Sequence, residues 1–303
     1  MSQKELGLMG FSMWLMVGIF VVVCIPLVYA MIRFRERRGE TGLPPQFEGN
    51  HTVEIVWTVI PILLLVVLAI PTFRDAFVLA SPPAGSDPLQ VTVVGHQWWW
   101  EFDYNGQQIV TADEMHIPTG RVVTLTLKSA DVLHSFWVPG LAGKEDTVPN
   151  IDNTLWLKAD QPGTYPGQCA EFCGSSHSLM RFDVVAQSPS DFQAWVAGMQ
   201  HPNVTPTTTA AQAGEKLFEQ YQCGSCHTVD GTKANGTKAP NLTNLGERQI
   251  IAGGALENTP ADLVQWITDA GKIMPDTIMP AFALSDQQLN DLTAYLEGLQ
   301  PQR

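Results

Sequence analysis

The run Cys169-Ala-Glu-Phe-Cys173-Gly-Ser-Ser-His177-Ser-Leu-Met180 gathers two thiols, an imidazole and a thioether into one short segment. Soft and borderline donors of this kind select copper over the hard cations. Two cysteines four positions apart can bridge a pair of copper ions, and His177 and Met180 follow at spacings that let one loop fold back over the metal. The set asks for one more imidazole, and His134 in Asp131-Val-Leu-His134-Ser-Phe is the candidate. A zinc knuckle and a Cys169–Cys173 disulfide are the alternatives. Cys-x3-Cys-x3-His-x2-Met matches no common zinc spacing, and thioethers are poor zinc ligands.

A second redox signature follows. Cys223-Gly-Ser-Cys226-His227 is the C-x-x-C-H attachment sequence of a c-type haem. Two thiols add across the haem vinyl groups, and the histidine becomes the proximal iron ligand. A thioredoxin-like dithiol is the competing reading of such a short match. A distal ligand is available in Thr277-Ile-Met279-Pro-Ala-Phe, and a Met/His pair raises the haem potential. Met274, also followed by proline, competes; Met279 is preferred because it leads closely into Leu284-Ser285-Asp286 and the final helix.

These centres need a scaffold, and composition bounds it. The chain has 303 residues and five cysteines, of which the two motifs use four. Cys24 lies in an apolar run and reads as an inert packed thiol. Thioether attachment of haem is done outside the cytoplasm, so the haem domain is expected there. A net charge of −13 argues against a nucleic-acid partner and suits a basic soluble one, although acidity also serves solubility alone.

Residues 10–31 and 55–73 carry no charge and reach the roughly 20 apolar residues that span a bilayer. Arg33, Arg35, Arg37 and Arg38, against Glu36, Glu40 and Glu48, lie between them, which places the connection in the cytoplasm and both termini outside. A cleaved signal peptide is disfavoured by the length of the first run, its lack of a basic start and the arginines after it. Beyond the hairpin, Leu89-Gln-Val-Thr-Val, Arg121-Val-Val-Thr-Leu-Thr-Leu-Lys and Met180-Arg-Phe-Asp-Val alternate apolar with polar residues, as short antiparallel strands of a sandwich or barrel do. The copper residues fall in the loops of that scaffold. Residues 190–199 read as a short helix, and the Pro- and Thr-rich stretch 201–212 as a linker. Helices follow over 213–221, 260–270 and 285–299, the last with Ser285 as N-cap and Gln288 at the capping-box position. The domains expected are a transmembrane hairpin over 1–81 (helices about 10–32 and 54–77), a β domain over 82–186, a short helix and linker over 187–212, and a helical haem domain over 213–303.

Anchor hairpin, β domain with the His134 and Cys169-to-Met180 motifs, then C-x-x-C-H: this order resembles subunit II of cytochrome c oxidase. The fused haem domain resembles the caa3-type branch of that family. The resemblance implies a multidomain membrane protein with a two-helix transmembrane hairpin, an all-β cupredoxin-like domain holding the binuclear copper centre CuA, and an all-α cytochrome c domain. It implies that Cys169 and Cys173 bridge the coppers, that His134 and Met180 complete one, and that His177 and the Glu171 carbonyl complete the other. The Glu171 side chain resembles the family's magnesium ligand at the contact with subunit I. Gly95-His-Gln-Trp98-Trp99-Trp100-Glu resembles the family's aromatic cluster, with Trp98 at the position where electrons enter. Tyrosine is usual where Trp99 stands, and packing is the expected role of at least one of the three tryptophans. Glu54, in His51-Thr-Val-Glu54-Ile-Val-Trp57, resembles the glutamate at the entrance of a proton path into subunit I, although the helix dipole alone favours an acid there.

The function implied is electron input to a terminal oxidase of the bacterial inner membrane. Electrons would pass from soluble cytochrome c or a similar donor, through haem c and CuA, to the haem–copper centre of subunit I, where oxygen is reduced to water with proton translocation. Subunit I, other oxidase subunits and membrane lipid are the implied partners. Alternatives are the same module in a nitric oxide reductase, or a stand-alone membrane-anchored electron carrier. Nitrous oxide reductase is disfavoured by the hairpin and the lack of room for a large catalytic domain. A quinol-oxidising relative is disfavoured because such subunits lack the copper ligands.

Overall fold

The computed structural model describes residues 2–35, 42 and 48–302. The chain separates into two units, Met1–Ser81 and Pro82–Arg303. The first holds helices α1 (Ser2–Arg33) and α2 (His51–Leu79). Both run past the charge-free segments. At α1 the polar turn around Lys4 and Glu5 extends the helix; at α2 the Asn50 side chain caps it, accepting from the Thr52 and Val53 amides. Large apolar side chains such as Trp14, Phe20 and Leu65 stand exposed along both helices, a surface suited to lipid. Pro26, Pro61 and Pro71 lie inside the helices, as bilayer-spanning segments tolerate. Glu36, Arg37, Arg38 and Glu40 of the charged connection lie outside the described residues.

The second unit begins with ten strands: β1 (Leu89–His96), β2 (Trp99–Tyr104), β3 (Ile109–Ala112), β4 (Glu114–Pro118), β5 (Val123–Ser129), β6 (His134–Trp137), β7 (Glu145–Thr147), β8 (Asn153–Leu157), β9 (Gly163–Cys169) and β10 (Arg181–Gln187). They form two five-stranded sheets, in the orders β3-β2-β1-β5-β8 and β4-β10-β9-β6-β7. Alternation of buried and half-exposed residues along β1 and β5 sends Val91, Val93, Leu125 and Leu127 inward. The two sheets close over Trp100, Phe102, Phe136 and Phe182, whose rings meet edge-on, tilted or stacked, Phe136 on Phe182 at 4.6 Å.

Helix α3 (Pro189–Gln200) covers the end of this sandwich, burying Phe192 and Trp195. The haem domain comprises α4 (Thr209–Gln220), α5 (Pro260–Thr268), α6 (Ala270–Ile273) and α7 (Asp286–Glu297) around Phe218, Leu263, Ile267, Leu292, Tyr295 and Leu296. Ser285 and Gln288 form the reciprocal capping box at the start of α7. The polar stretch after α3 is not a free tether throughout. Its β11 (Pro202–Asn203) pairs antiparallel with β12 (Gln300–Pro301), and the Gln302 amide donates to the Gly198 carbonyl. Composition reports the prolines and threonines of this stretch but not a pairing partner from the far end of the chain.

Candidate copper and haem centres

The copper donors converge because β9 lies beside β6, with Cys169 paired to Phe136. This brings His134, at the start of β6, against the cysteine loop. Cys169 Sγ lies 3.8 Å from Cys173 Sγ and 3.9 Å from His134 Nδ1. Cys173 Sγ lies 3.5 Å from His177 Nδ1 and 3.8 Å from Met180 Sδ. The Glu171 carbonyl is 3.2 Å from Cys169 Sγ. Both cysteines are free and buried, their sulfurs too far apart for a disulfide. Two thiolate sulfurs, two imidazole nitrogens, a thioether and a carbonyl thus share one small volume, a donor set that fits a pair of copper ions. The Cys173 sulfur beside it holds the Cys169 thiol far below its usual range.

His134 is held from behind. Its Nε2 lies 2.8 Å from Asp131 Oδ1, leaving Nδ1 toward the sulfurs. Burial is the largest single influence and opposes charge on both groups. Their hydrogen bond, together with the Val132 and Gln97 amides on Asp131 and Cys169 beside the imidazole, outweighs it, lowering the Asp131 carboxyl and raising the imidazole. Trp100, fully buried, meets the ring at 5.9 Å, and a side chain at Gly95 would press on it from the opposite strand. Asp131 has no assigned task in the sequence; an acid three residues from a ligand histidine is the signal that points to one. Asp131→Ala is expected to weaken copper binding by about 10–100-fold, measured by competition with a chelator, with the haem spectrum unchanged.

In the haem domain, Cys223, Cys226 and His227 line a cavity of about 320 Å³ together with Met274 and Met279. Nδ1 of His227 donates to the Pro240 carbonyl at 2.8 Å, so Nε2 keeps its lone pair. Burial lowers the His227 pKa and favours the neutral ring an iron ligand needs. Free thiols, an oriented imidazole and two thioethers around an apolar cavity fit a covalently held haem. Met279 also lines the smaller cavity beside Cys223, His227 and Phe282. Met274 does not; its methyl group lies beside Gly253.

The three tryptophans separate by environment. Trp98 is 5% exposed, donates from Nε1 to the Cys173 carbonyl at 3.2 Å, and lines the haem cavity. Gln97 donates to the same carbonyl at 2.7 Å. Trp99 stacks on His96 at 4.1 Å, and Trp100 belongs to the sandwich core. Glu54, in the first unit, sits in the first turn of α2, 3.4 Å from His51 Nδ1.

A two-helix anchor, a cupredoxin-like sandwich carrying soft donors and a cytochrome c domain define a membrane-bound electron-transfer protein of the haem–copper oxidase class. Residues 2–74 match the transmembrane domain of cytochrome c oxidase subunit II, residues 106–188 the periplasmic domain of that subunit, and residues 211–300 cytochrome c. Cytochrome c oxidase subunit 2 of Alkalihalophilus pseudofirmus is 42% identical over 294 residues, spanning 95% of this chain and 85% of that protein. The Bacillus subtilis subunit of the same name is 37% identical, spanning 98% and 89%. Quinol oxidase subunit 2 of Bacillus subtilis is 31% identical, spanning 72% and 69%. The chain belongs to the cytochrome c oxidase subunit II family, with a C-terminal cytochrome c domain as in caa3-type enzymes. It is therefore an oxidoreductase subunit that works with other oxidase subunits such as subunit I, and its domains imply copper and haem c.

Proposed function

We propose that this chain is the electron-input subunit of a terminal oxidase, with haem c as first acceptor and binuclear copper as the relay to subunit I. When bound, the two groups supply one-electron chemistry, passing electrons from a soluble cytochrome c or similar donor toward the oxygen-reducing haem–copper centre of subunit I. Cys223 and Cys226 would attach the haem, His227 would hold its iron on one side and Met279 on the other. Cys169 and Cys173 would bridge the coppers, with His134 and Met180 on one and His177 and the Glu171 carbonyl on the other. Electron transfer needs no acid or base from these residues; they set potential through ligand softness, burial and hydrogen bonds to the ligands.

The observation that carries the reading is the position of Trp98. Its indole is hydrogen-bonded to the carbonyl of Cys173 while the residue also walls the haem cavity, so one side chain touches both candidate centres. Electrons would enter this tryptophan from the chain's own haem rather than from an external protein. The preference for Met279 over Met274 rests on their neighbours: Met279 packs with the haem-domain core, Met274 against the copper-domain side. Glu54 would open a proton path into subunit I in support of proton translocation. A magnesium ion at the Glu171 carboxylate would take its other ligands from subunit I, because the one cluster of three His, Cys, Asp or Glu donors among the described residues is His134, Cys169 and Cys173. The proposed setting is a bacterial inner membrane, with both termini and both soluble domains on the outer side and lipid around α1 and α2.

Purified native complex given reduced soluble cytochrome c is expected to consume oxygen rapidly, with cyanide stopping it. Turnover of nitric oxide with little oxygen uptake would move the chain to a nitric oxide reductase. Purification without any large haem–copper subunit would leave a stand-alone electron carrier.

A further inference from the structure

Between the copper and haem domains lies a group of buried charges, two of which, Asp113 and Arg248, also line the haem cavity. Asp113, just before β4, and Glu114, its first residue, are 3% and 2% exposed, and Arg248 of the haem domain is 4% exposed. The Glu114 carboxylate reaches across the boundary: its Oε1 accepts from the backbone amides of Gln249 and Ile250. Asp113 accepts from the Trp100 amide at 3.0 Å on its own side and faces the Gly253 amide on the other, which favours its ionised form. Arg248 is fixed within its own domain, donating to the Asn244 Oδ1 and the Asn241 carbonyl, with its charge facing both acids. His116 Nε2 lies 3.9 Å from the second Glu114 oxygen.

The haem-domain segment receiving these contacts is shaped for them. Ala252, Gly253 and Gly254 all have positive φ, near 55°, 61° and 77°. This turn presses onto the copper domain so closely that a side chain at Gly253 would run into the Trp98 carbonyl, and one at Gly254 into Arg181. The Arg181 amide donates back to the Gly253 carbonyl at 2.7 Å. Ser176, beside the copper-loop histidine, donates to the Pro275 carbonyl at 2.8 Å.

We infer that Asp113 and Glu114 are positioning residues whose carboxylates capture the backbone amides of the 249–253 turn and so set the haem cavity against Trp98. A charge buried at a boundary is costly unless its partners arrive with it, and here the partners come from the opposite domain. Burial pushes both carboxyls up, Asp113 to about 6 and Glu114 to about 7, while the amides and Arg248 favour the ionised forms. Amides on a carboxylate make directional, charge-assisted bonds, so they fix an orientation as well as hold two surfaces together. Apolar contact alone would tolerate sliding that moves the haem cavity relative to Trp98.

This inference rests on the proposed haem-to-copper route, and the test keeps the two apart. In the assembled oxidase, the rate at which photoreduced haem c passes its electron to copper is measured for the unaltered protein, Glu114→Ala and Glu114→Gln. Hydrogen exchange of the Gln249 and Ile250 amides is followed in parallel. Glu114→Ala is expected to slow transfer severalfold, because electron tunnelling falls steeply as the two centres move apart. It should speed exchange by about tenfold or more, the scale of one charge-assisted hydrogen bond. Glu114→Gln keeps an acceptor oxygen and should fall between the two. Transfer within twofold of the unaltered rate in Glu114→Ala, with both metal spectra intact, overturns the positioning role. Should Glu114→Ala not assemble, Gly253→Ala decides from the other side, with slowed transfer expected and an unaltered rate overturning the inference. Absence of haem-to-copper transfer in the unaltered protein would instead sink the route itself.

Discussion

Cys169→Ser is expected to remove the copper centre completely while the haem c spectrum stays intact. Cys169 is the hub of the donor set, within 3.9 Å of Cys173 and His134 and 3.2 Å of the Glu171 carbonyl. A serine hydroxyl is a hard donor that holds its proton at neutral pH, so it cannot replace a bridging thiolate between soft ions. The substitution changes little volume, and the sandwich core of Trp100, Phe102, Phe136 and Phe182 remains to hold the fold. The haem-attaching residues lie on another core, around Phe218, Leu292 and Tyr295. Metal analysis with absorption and electron paramagnetic resonance spectra checks the outcome, and cyanide-sensitive oxygen uptake should disappear with the copper. Retention of two coppers would refute the bridging role, and loss of haem together with copper would point to misfolding.

What the sequence revealed and what it concealed follow from the distance over which each signal acts. The cysteine loop and C-x-x-C-H are local, so their chemistry is written in adjacent residues. The period of two along β1, β5 and β10, and the capping residues of α7, are equally local. His134 was reachable only because copper chemistry demands another imidazole; nothing in the chain states that β6 lies beside β9. The environment of Trp98 was further out of reach. That tryptophan is covered by a domain more than a hundred residues away in sequence, and its place against Gly253 depends on a turn with three consecutive positive φ values. Asp113-Glu114 reads in sequence as an ordinary polar pair, because solvent exposure is the common fate of acids. Only the arrival of the 249–253 amides and Arg248 distinguishes it. The pairing of β11 with β12 was hidden for the same reason, joining a Pro- and Thr-rich stretch to Gln300–Pro301.

Met279→Ala should abolish the low-spin Met/His signature of haem c and lower its potential by a substantial part of the ~0.8 V that axial ligation spans. The thioether stabilises the reduced iron, and alanine offers no donor, leaving water or a stray side chain to fill the position. Both methionines wall the large cavity, so proximity alone does not choose between them. Their second neighbours do. Met279 continues into the pocket formed with Phe218, His227 and Phe282, where a ligand would be braced by the haem-domain core. Met274 is 3% exposed with its methyl beside Gly253, next to the surface that meets Trp98. Met274→Ala is therefore expected to keep the low-spin spectrum and the potential while loosening contact with the copper domain, seen as slower electron transfer to copper. The spectra of the two variants decide the assignment: loss of the Met/His signature in Met274→Ala with retention in Met279→Ala would exchange the roles. Cys223, Cys226 and His227 stay in place in both variants, so covalently attached haem should persist in each and make the comparison one of ligation alone.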